Sequence, residues 1–514
     1  MSFNKKLKKI LFYCVIILST HPIIGQDFIV EFGVRVKDPE DVLGTADTNG
    51  NLAYFFDGHR QFQATIINSD NQIEKNISIN KVYISKKDKL IGISLSDNYF
   101  CAFFYNKKRK TLSATSLDRS TGDYKTNMLK ILQDNELILR GFEANNSFYI
   151  LTVEKKTSEI TLLETKDGKT VKSKKYKIPV EDFYKIITQK NEMLNTPALS
   201  EVGIEVVDSY LDNNLKAGYS KKKLYRTGSN IILTFDDPHG THFIKIDPQN
   251  DQLNYQRLNF NLERGDELAN KTGNSFVFDH YILRTTMNSE MMNIAVIDLN
   301  NMALVNNYNI FPDAPIPILN GAIKQDNDTE AHNDENEGKQ INKTKRYFNR
   351  VLDGNIAIIA NKLNNNLLEI EVGSYTETVY RNTNYMPSGF ALGMGMGVGM
   401  GFGYGAGMGG FGNPMMGPGS MFGYPGYYSP YGRPMNQVVR KTVSFKSLLE
   451  DKYFNHIDGE MPKTIRDKAN KYISDNFSNN PPDIFCVSYR NDESMLLGYY
   501  IESKNQFVVL NIDR

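Results

Sequence analysis

The densest concentration of potential metal ligands in the chain is Asp236-Asp237-Pro238-His239-Gly240-Thr241-His242. Two histidines three positions apart beside two carboxylates could hold a divalent cation. Asp, Pro and Gly are also what a tight turn selects, and strand-like runs flank the segment on both sides. Asp236, Asp237, His239 and His242 are therefore weak metal candidates on a hairpin turn. Other chemical signatures fail at one position each. Gly407, Gly409 and Gly412 spell a dinucleotide-binding pattern but lack the strand-to-helix unit it requires. Gly168-Lys169-Thr170 resembles the end of a phosphate loop, yet Leu163 stands where its first glycine must be. Neither G-x-S-x-G nor H-E-x-x-H occurs, so no catalytic residue is assigned and no cofactor is implied. Met394, Met396 and Met400 could offer soft thioether ligands to Cu(I). Methionine in that stretch alternates freely with Val, Phe and Ala, however, which speaks for generic apolar character.

Whatever positions these residues is built from strands. Asn51–Phe56 and Gln61–Ile67 flank a polar turn, as do Tyr99–Tyr105 and Thr111–Leu117, and Ser147–Val153 and Glu159–Glu164. Each pair reads as a hairpin of β-branched and aromatic residues. The polar residue opening each unit falls at Asn51, Asn98 and Asn146, 47 and 48 positions apart. A third strand trails each pair, at Glu74–Ile79, Tyr124–Leu132 and Val171–Ile178. Later units begin at Asn230, Tyr281, Asn355 and Ile484, which makes seven. Repeats of this length with three to four strands are what a propeller blade needs, so the expected fold is all-β, a seven-bladed β-propeller. Paired β-sandwiches are the alternative. Asp27–Val36 is strand-like and could complete the blade built from residues 484 to 513. Cys101 and Cys486 take similar places in the second and seventh units, so they are expected to remain buried thiols rather than to pair.

Four segments interrupt the repeat. Residues 180–227 look partly helical. Residues 324–346 form a polar loop whose acids (Asp326, Asp328, Glu330, Asp334, Glu335, Glu337) lack the spacing of a calcium loop. Residues 382–434 are Gly/Met/Tyr-rich and carry no charge from Asn382 to Gly432, with glycine at every odd position from 393 to 409. This low-complexity stretch reads as a long loop grown from a hairpin. Residues 445–478 are expected to be a helical flank, with Phe445–Glu450 as one helix. Pro462 opens a second that places Ile465, Ala469, Tyr472 and Ile473 on one face.

The N-terminus is read as an address. Lys5, Lys6, Lys8 and Lys9 precede an apolar run from Ile10 to Leu18, then Pro22 and a Gly25-Gln26 junction. That pattern is a secretory signal peptide over residues 1–25, leaving a mature domain from 26 to 514. Removing it changes the formal charge from +1 to −3, mildly acidic, without a basic patch to draw nucleic acid. The chain has no tryptophan, which excludes propellers built on tryptophan-containing Asp boxes or Trp-Asp repeats.

The Gly25-Gln26 junction, the blade-like repeat, and the Gly/Met/Tyr loop followed by Thr442–Leu449 together resemble uncharacterised exported β-propeller-type proteins of the Bacteroidota. The resemblance implies the fold and export to periplasm, outer-membrane surface or medium, and supplies no active site. The expected function is non-enzymatic binding of a protein or envelope partner through propeller loops, with residues 382–434 able to contact a membrane surface. The alternative is a hydrolase or lyase with its site at the central channel, which three or more converging carboxylates or histidines would mark.

Overall fold

Alternating β-branched and aromatic residues favour pleated, half-buried strands, and here strands account for most of the chain. The computed structural model describes residues 26–513 apart from 37–38, 40, 59–60, 81–87, 145, 156, 158, 182, 189–202, 209–211, 228–229, 238, 260–271, 330–338, 364–365, 381–436, 478–484 and 492–493. Residues 1–25, expected to be a signal peptide, and the Gly/Met/Tyr stretch therefore lie outside the described residues, as do Pro238 and the methionines considered for Cu(I).

The described strands form seven sheets. After β1 (Gln26–Gly33), sheet one contains β2 (Asp41–Ala46), β3 (Leu52–Asp57), β4 (Gln61–Ile67) and β5 (Ile73–Asn80). Sheet two contains β6 (Lys89–Leu95), β7 (Tyr99–Asn106), β8 (Thr111–Asp118) and β9 (Tyr124–Ile131). Sheet three contains β10 (Glu136–Ala144), β11 (Ser147–Glu154), β12 (Glu159–Thr165) and β13 (Lys172–Lys177). The chain then passes through helix α1 (Phe183–Thr188), β14 (Glu205–Val207) and the short helix α2 (Leu215–Gly218). Sheet four is β14 with β15 (Lys222–Thr227), β16 (Asn230–Asp237), β17 (Gly240–Asp247) and β18 (Gln252–Asn259). Sheet five contains β19 (Thr272–Phe278), β20 (Tyr281–Met287), β21 (Met292–Asp298) and β22 (Leu304–Ile310). Next come β23 (Ile323–Thr329), β24 (Lys339–Ile341) and helix α3 (Thr344–Leu352), then β25 (Asn355–Lys362), β26 (Leu367–Tyr380) and β27 (Gln437–Glu450). Helix α4 (Ile465–Phe477) precedes β28 (Phe485–Asn491), β29 (Ser494–Ile501) and β30 (Gln506–Asp513).

Most sheets are antiparallel meanders in chain order, but two borrow their outer strand. In sheet seven β1 lies beside β30, with Gln26 opposite Ile512 and Gly33 opposite Gln506. The strand-like segment that begins at residue 26 thus completes the C-terminal sheet, as its sequence suggested. Sheet six runs β25-β26-β27-β23-β24, its fourth strand supplied by chain that precedes the first three. Successive sheets meet near their first strands: β28 lies beside β2, β2 beside β6, β6 beside β10, and β19 beside β25.

Apolar side chains fill the seams between sheets. Phe32, Tyr54, Phe56 and Phe507 pack between sheets seven and one, and Phe55, Phe62 and Phe100 between one and two. Phe103 stacks on Phe148 at 4.0 Å between sheets two and three. A Cβ on Gly92 would come within 2.4 Å of that Phe148 ring, so the stack requires a bare backbone there. Helix α4 lies at the remaining seam. Its Ile465, Ala469, Tyr472 and Ile473 pack on Met495 and Leu497 of sheet seven, while Asp467 is in electrostatic reach of Lys446 on sheet six.

Several expectations need correction. Phe445–Glu450 is not helical but the end of β27, paired with Leu367–Val372. Leu448 and Leu449 suit either element, and cross-strand bonding decides. The polar segment 324–346 begins as β23, because an outer strand needs only backbone pairing with β27, not apolar side chains. Within 180–227, the helices α1 and α2 are accompanied by strands at Glu205–Val207 and Lys222–Thr227. Finally, Cys101 sits on the second strand of its sheet and Cys486 on the first, so their positions are not equivalent.

Cys101 and Cys486 are buried, and they are not joined in a disulfide. Cys101 donates to Ser116 Oγ at 3.7 Å, and burial pushes its thiol up to about 12. We expect the chain from residue 26 to show almost no reaction with a thiol reagent when native and two reactive thiols in denaturant. A denatured, unreduced chain without titratable thiol would instead indicate a disulfide.

Candidate functional site

The turn that joins β16 to β17 divides the ligand-type residues between two environments. Asp236 points inward, where its carboxylate accepts from Thr241 Oγ1 (2.5 Å), Ser275 N (3.0 Å) and Ser275 Oγ (3.0 Å). Lys223 Nζ lies 3.4 Å from it, with both side chains fully buried. Burial pushes that ammonium down to about 8 against the pull of Asp236. Asp237 faces the other way and pairs with Arg257 at 2.8 Å and His242 Nε2 at 3.3 Å. Burial opposes its ionisation, but the bonds from His242 and Arg257 outweigh it and hold the carboxyl well below the usual range. His242 also meets Tyr255 Oη at 3.0 Å through Nδ1, and Arg257 Nη1 through Nε2. His239 is exposed, and only its backbone N–H is engaged, by Asp237. Adjacent strand residues point to opposite faces, which separates Asp236 from Asp237. Among the described residues no group of three His, Cys, Asp or Glu side chains could hold a metal. The four candidates are thus not brought together around one point.

The more informative polar cluster lies where the first strands converge. Glu143, near the end of β10, accepts from Thr45 Oγ1 on β2 and from the Leu95 backbone N–H at the end of β6 (3.1 Å). One carboxylate therefore ties three successive sheets. Loss of hydration on burial raises its pKa to about 7, although Thr45 and Leu95 pull the other way. Arg226 on β15 donates to the Glu143 carbonyl (2.7 Å) and pairs with Asp208 just after β14 (2.8 Å), which brings in sheet four. Turns preceding the second strands add to the network, with Asn49 bonded to Asp97 (2.6 Å) and Asn146 to Thr48 (2.9 Å). Asn98 and Asn146, which mark the repeat in the sequence, belong to these turns.

Further along the same strands Arg140 on β10 is 8% exposed, and its Nε has no hydrogen-bond partner. Glu205 on β14 is within electrostatic reach of Arg140, and Lys216 of α2 is within electrostatic reach of Glu205. Burial lowers the Arg140 pKa and raises that of Glu205. Sequence reasoning missed Glu143, Arg140 and Glu205 because each sits in a strand it did not identify. A glutamate or arginine inside an otherwise apolar run, as in Glu136-Leu-Ile-Leu-Arg-Gly-Phe-Glu143, is the signal that could have found two of them.

No protein-family model matches this chain, and no curated protein matches it in sequence. Solved structures match it only at low identity and low TM-score. It is similar to the Dos1 propeller, at 8% identity over 95% of this chain and 96% of that one, with a TM-score of 0.32. An oligogalacturonate lyase in complex with manganese gives 8% identity, 95% and 97% coverage, and a TM-score of 0.32. A Synechocystis ACO mutant gives 8% identity and a TM-score of 0.29 over 54% of this chain, which spans 63% of that protein.

Two substitutions test the polar network. Asp236→Ala should destabilise the chain by about 3 kcal/mol in chemical denaturation, because it leaves Lys223 buried and unpaired. A change below about 0.5 kcal/mol would show that the clamp is not holding sheets four and five together. For Glu143, a folded pKa above its unfolded value of 4.5 means that the folded state binds the extra proton between those limits. Its contribution is complete below 4.5 and is lost as pH rises through about 7. Glu143→Gln should therefore match the native chain near pH 5 and exceed its stability by roughly 2 kcal/mol at pH 8. Parallel stability curves for the two proteins would contradict this.

Proposed function

We propose that this chain is an exported cell-envelope protein that binds a protein or surface partner through its loops. In this reading its seven sheets are the blades of one ring, fastened where β1 joins β30. The observation that carries the binding role is an arm on sheet six. Strand β25 ends opposite Tyr375, but β26 and β27 continue in register from Thr376 opposite Lys441 to Tyr380 opposite Gln437. On the other side β23 accompanies β27 as far as Thr329 opposite Val439. The extension is three strands wide for most of its length. Tyr375 Oη donates to Glu377 (2.8 Å), Arg440 Nε lies 3.7 Å from that carboxylate, and the Tyr219 ring packs on Tyr375 at 4.7 Å.

A braced hairpin of this kind presents whatever its tip carries, and the intervening sequence is the uncharged Gly/Met/Tyr-rich stretch. Such a segment has apolar side chains for contact and little charge to keep a surface away. The hydrolase or lyase alternative requires carboxylates free to act at the axis. Near the first strands, Glu143 is engaged by two donors and Asp208 by Arg226.

The test replaces residues 382–434 by an Asn-Gly turn, which suits a two-residue hairpin connection. The shortened chain should melt within about 3 °C of the full one, since no described core residue is touched. It should also lose the partner recovered by pull-down from envelope extract. An unchanged partner set would end the arm reading. Fractionation with N-terminal sequencing checks export, with a mature chain beginning at Gln26 outside the cytoplasm as the expected result and an intact Met1 in the cytoplasm as the contrary one.

A further inference from the structure

Charge is not spread evenly over this chain. Residues 81–110 hold eight Lys and Arg against two Asp, although the sequence from residue 26 onward is net acidic. The fold gathers part of that excess at one place. Lys107, Lys108 and Arg109 lie in the turn from β7 to β8 and are exposed. Lys89, exposed at the start of β6, sits opposite Tyr105 just before that turn. None of these four side chains meets a carboxylate among the described residues. The nearby acids are already engaged: Asp134 by Lys110 at 2.9 Å, Glu136 by Lys130 at 2.8 Å, and Asp88 by Asn106 at 2.5 Å. Beside the cations stand two uncovered apolar side chains on β9. Ile131 is 53% exposed opposite Thr111, the residue that follows the turn, and Met128 is 66% exposed opposite Ser113. The Leu132 N–H donates to the Lys110 carbonyl at 2.9 Å, so this strand end is fastened to the turn.

Free cations beside exposed apolar groups are complementary to an anionic lipid interface. Phosphates pair with Lys and Arg, and side chains such as Ile and Met enter the headgroup boundary. Tyr105, the aromatic residue nearest the turn in the sequence, is buried and offers nucleobases no ring to stack on. The turn also shares an end of the sheets with the arm. Glu143 near the end of β10 bonds Thr45 near the end of β2, Leu95 at the end of β6 and, through its carbonyl, Arg226 near the end of β15. Asn274 near the start of β19 bonds Lys223 and Ile356 near the starts of β15 and β25. The first strands of sheets one to six therefore run the same way, and turns from second to third strands emerge at the end away from Glu143. We propose that Lys89, Lys107, Lys108, Arg109, Met128 and Ile131 dock this end of sheet two on an anionic phospholipid bilayer. This docking names the surface left open in the proposed function, on which it rests, and needs no contact from the arm.

Flotation of the chain from residue 26 with vesicles of phosphatidylcholine alone, or with about 30% phosphatidylglycerol, tests the docking. Binding is expected to the anionic vesicles only, and should fall steeply between about 50 mM and about 500 mM salt as the charges are screened. Lys107→Gln, Lys108→Gln and Arg109→Gln together should weaken it about a hundredfold, at roughly fivefold per cation. Met128→Ser with Ile131→Ser should weaken it about tenfold and leave the salt dependence unchanged. All five positions are exposed, so both variants should melt within about 2 °C of the parent, which separates lost docking from lost folding. Equal binding to the two vesicle types, no binding to either, or an unaltered triple variant overturns the proposal. Equal or tighter binding of a single-stranded oligonucleotide, read by fluorescence anisotropy, would assign the cations to a soluble polyanion and overturn it as well. The chain with residues 382–434 replaced by Asn-Gly should still bind anionic vesicles even where it loses its pull-down partner. Its failure to bind them would place the lipid contact in the arm instead.

Discussion

The buried pair Lys223–Asp236 is the interaction on which the arrangement of the later sheets depends. Its members belong to β15 and β16, but their remaining bonds leave the sheet. Asp236 takes the backbone and hydroxyl of Ser275 on β19, and Lys223 takes Asn274 Oδ1 at 2.7 Å. Asn274 in turn donates to the carbonyls of Tyr219 and of Ile356 on β25. One charge pair, enclosed on every side, so defines how three sheets sit against one another. Burying it is expensive, and the expense is tolerable only because each donor finds a partner. Apolar contacts would tolerate sliding between sheet faces, whereas a satisfied polar network allows one geometry.

The earlier sheets solve the same problem with a single carboxylate. Glu143 reaches the backbone of one neighbour and the hydroxyl of the next but one, and its carbonyl receives Arg226 from the sheet that follows. Arg140, on the same strand as Glu143, is nearly buried and its Nε is without a partner. The last seam uses neither device. Helix α4 packs on sheet seven while Arg466 at its start bonds Asp212, in the insertion that follows sheet three.

How legible all this is in the sequence differs from strand to strand. The second and third strands of most sheets are buried on both faces and rich in Phe, Tyr, Ile and Leu, so they stand out. First strands such as Asp41-Val-Leu-Gly-Thr-Ala46 and Lys89-Leu-Ile-Gly-Ile-Ser-Leu95 open on a charge and carry a glycine where a neighbouring side chain approaches closely. Those residues break the apolar pattern and hide the strand. In the sixth and seventh units the conspicuous hairpin is the first and second strand instead. That shift explains why Cys101 and Cys486 looked equivalent and are not. The polar β23 was hidden for a different reason, as a fourth strand needs no apolar face to bond with β27.

The sequence by itself determined that the chain is all-β, that its hairpins recur at a near-constant interval, and that Gln26–Gly33 is a strand seeking a partner. Local alternation of side chains is enough for each, since it acts within a few residues. It also marked Asp236, Asp237, His239 and His242 as a group, because adjacency in sequence is all that a ligand motif records. Only the tertiary structure decided that Asp236 turns to the next sheet and Asp237 to Arg257, since neighbouring residues on a strand face opposite ways. It decided likewise that Thr45 and Glu143, 98 positions apart, meet. That meeting depends on how one sheet is set against the next, and no local pattern encodes it.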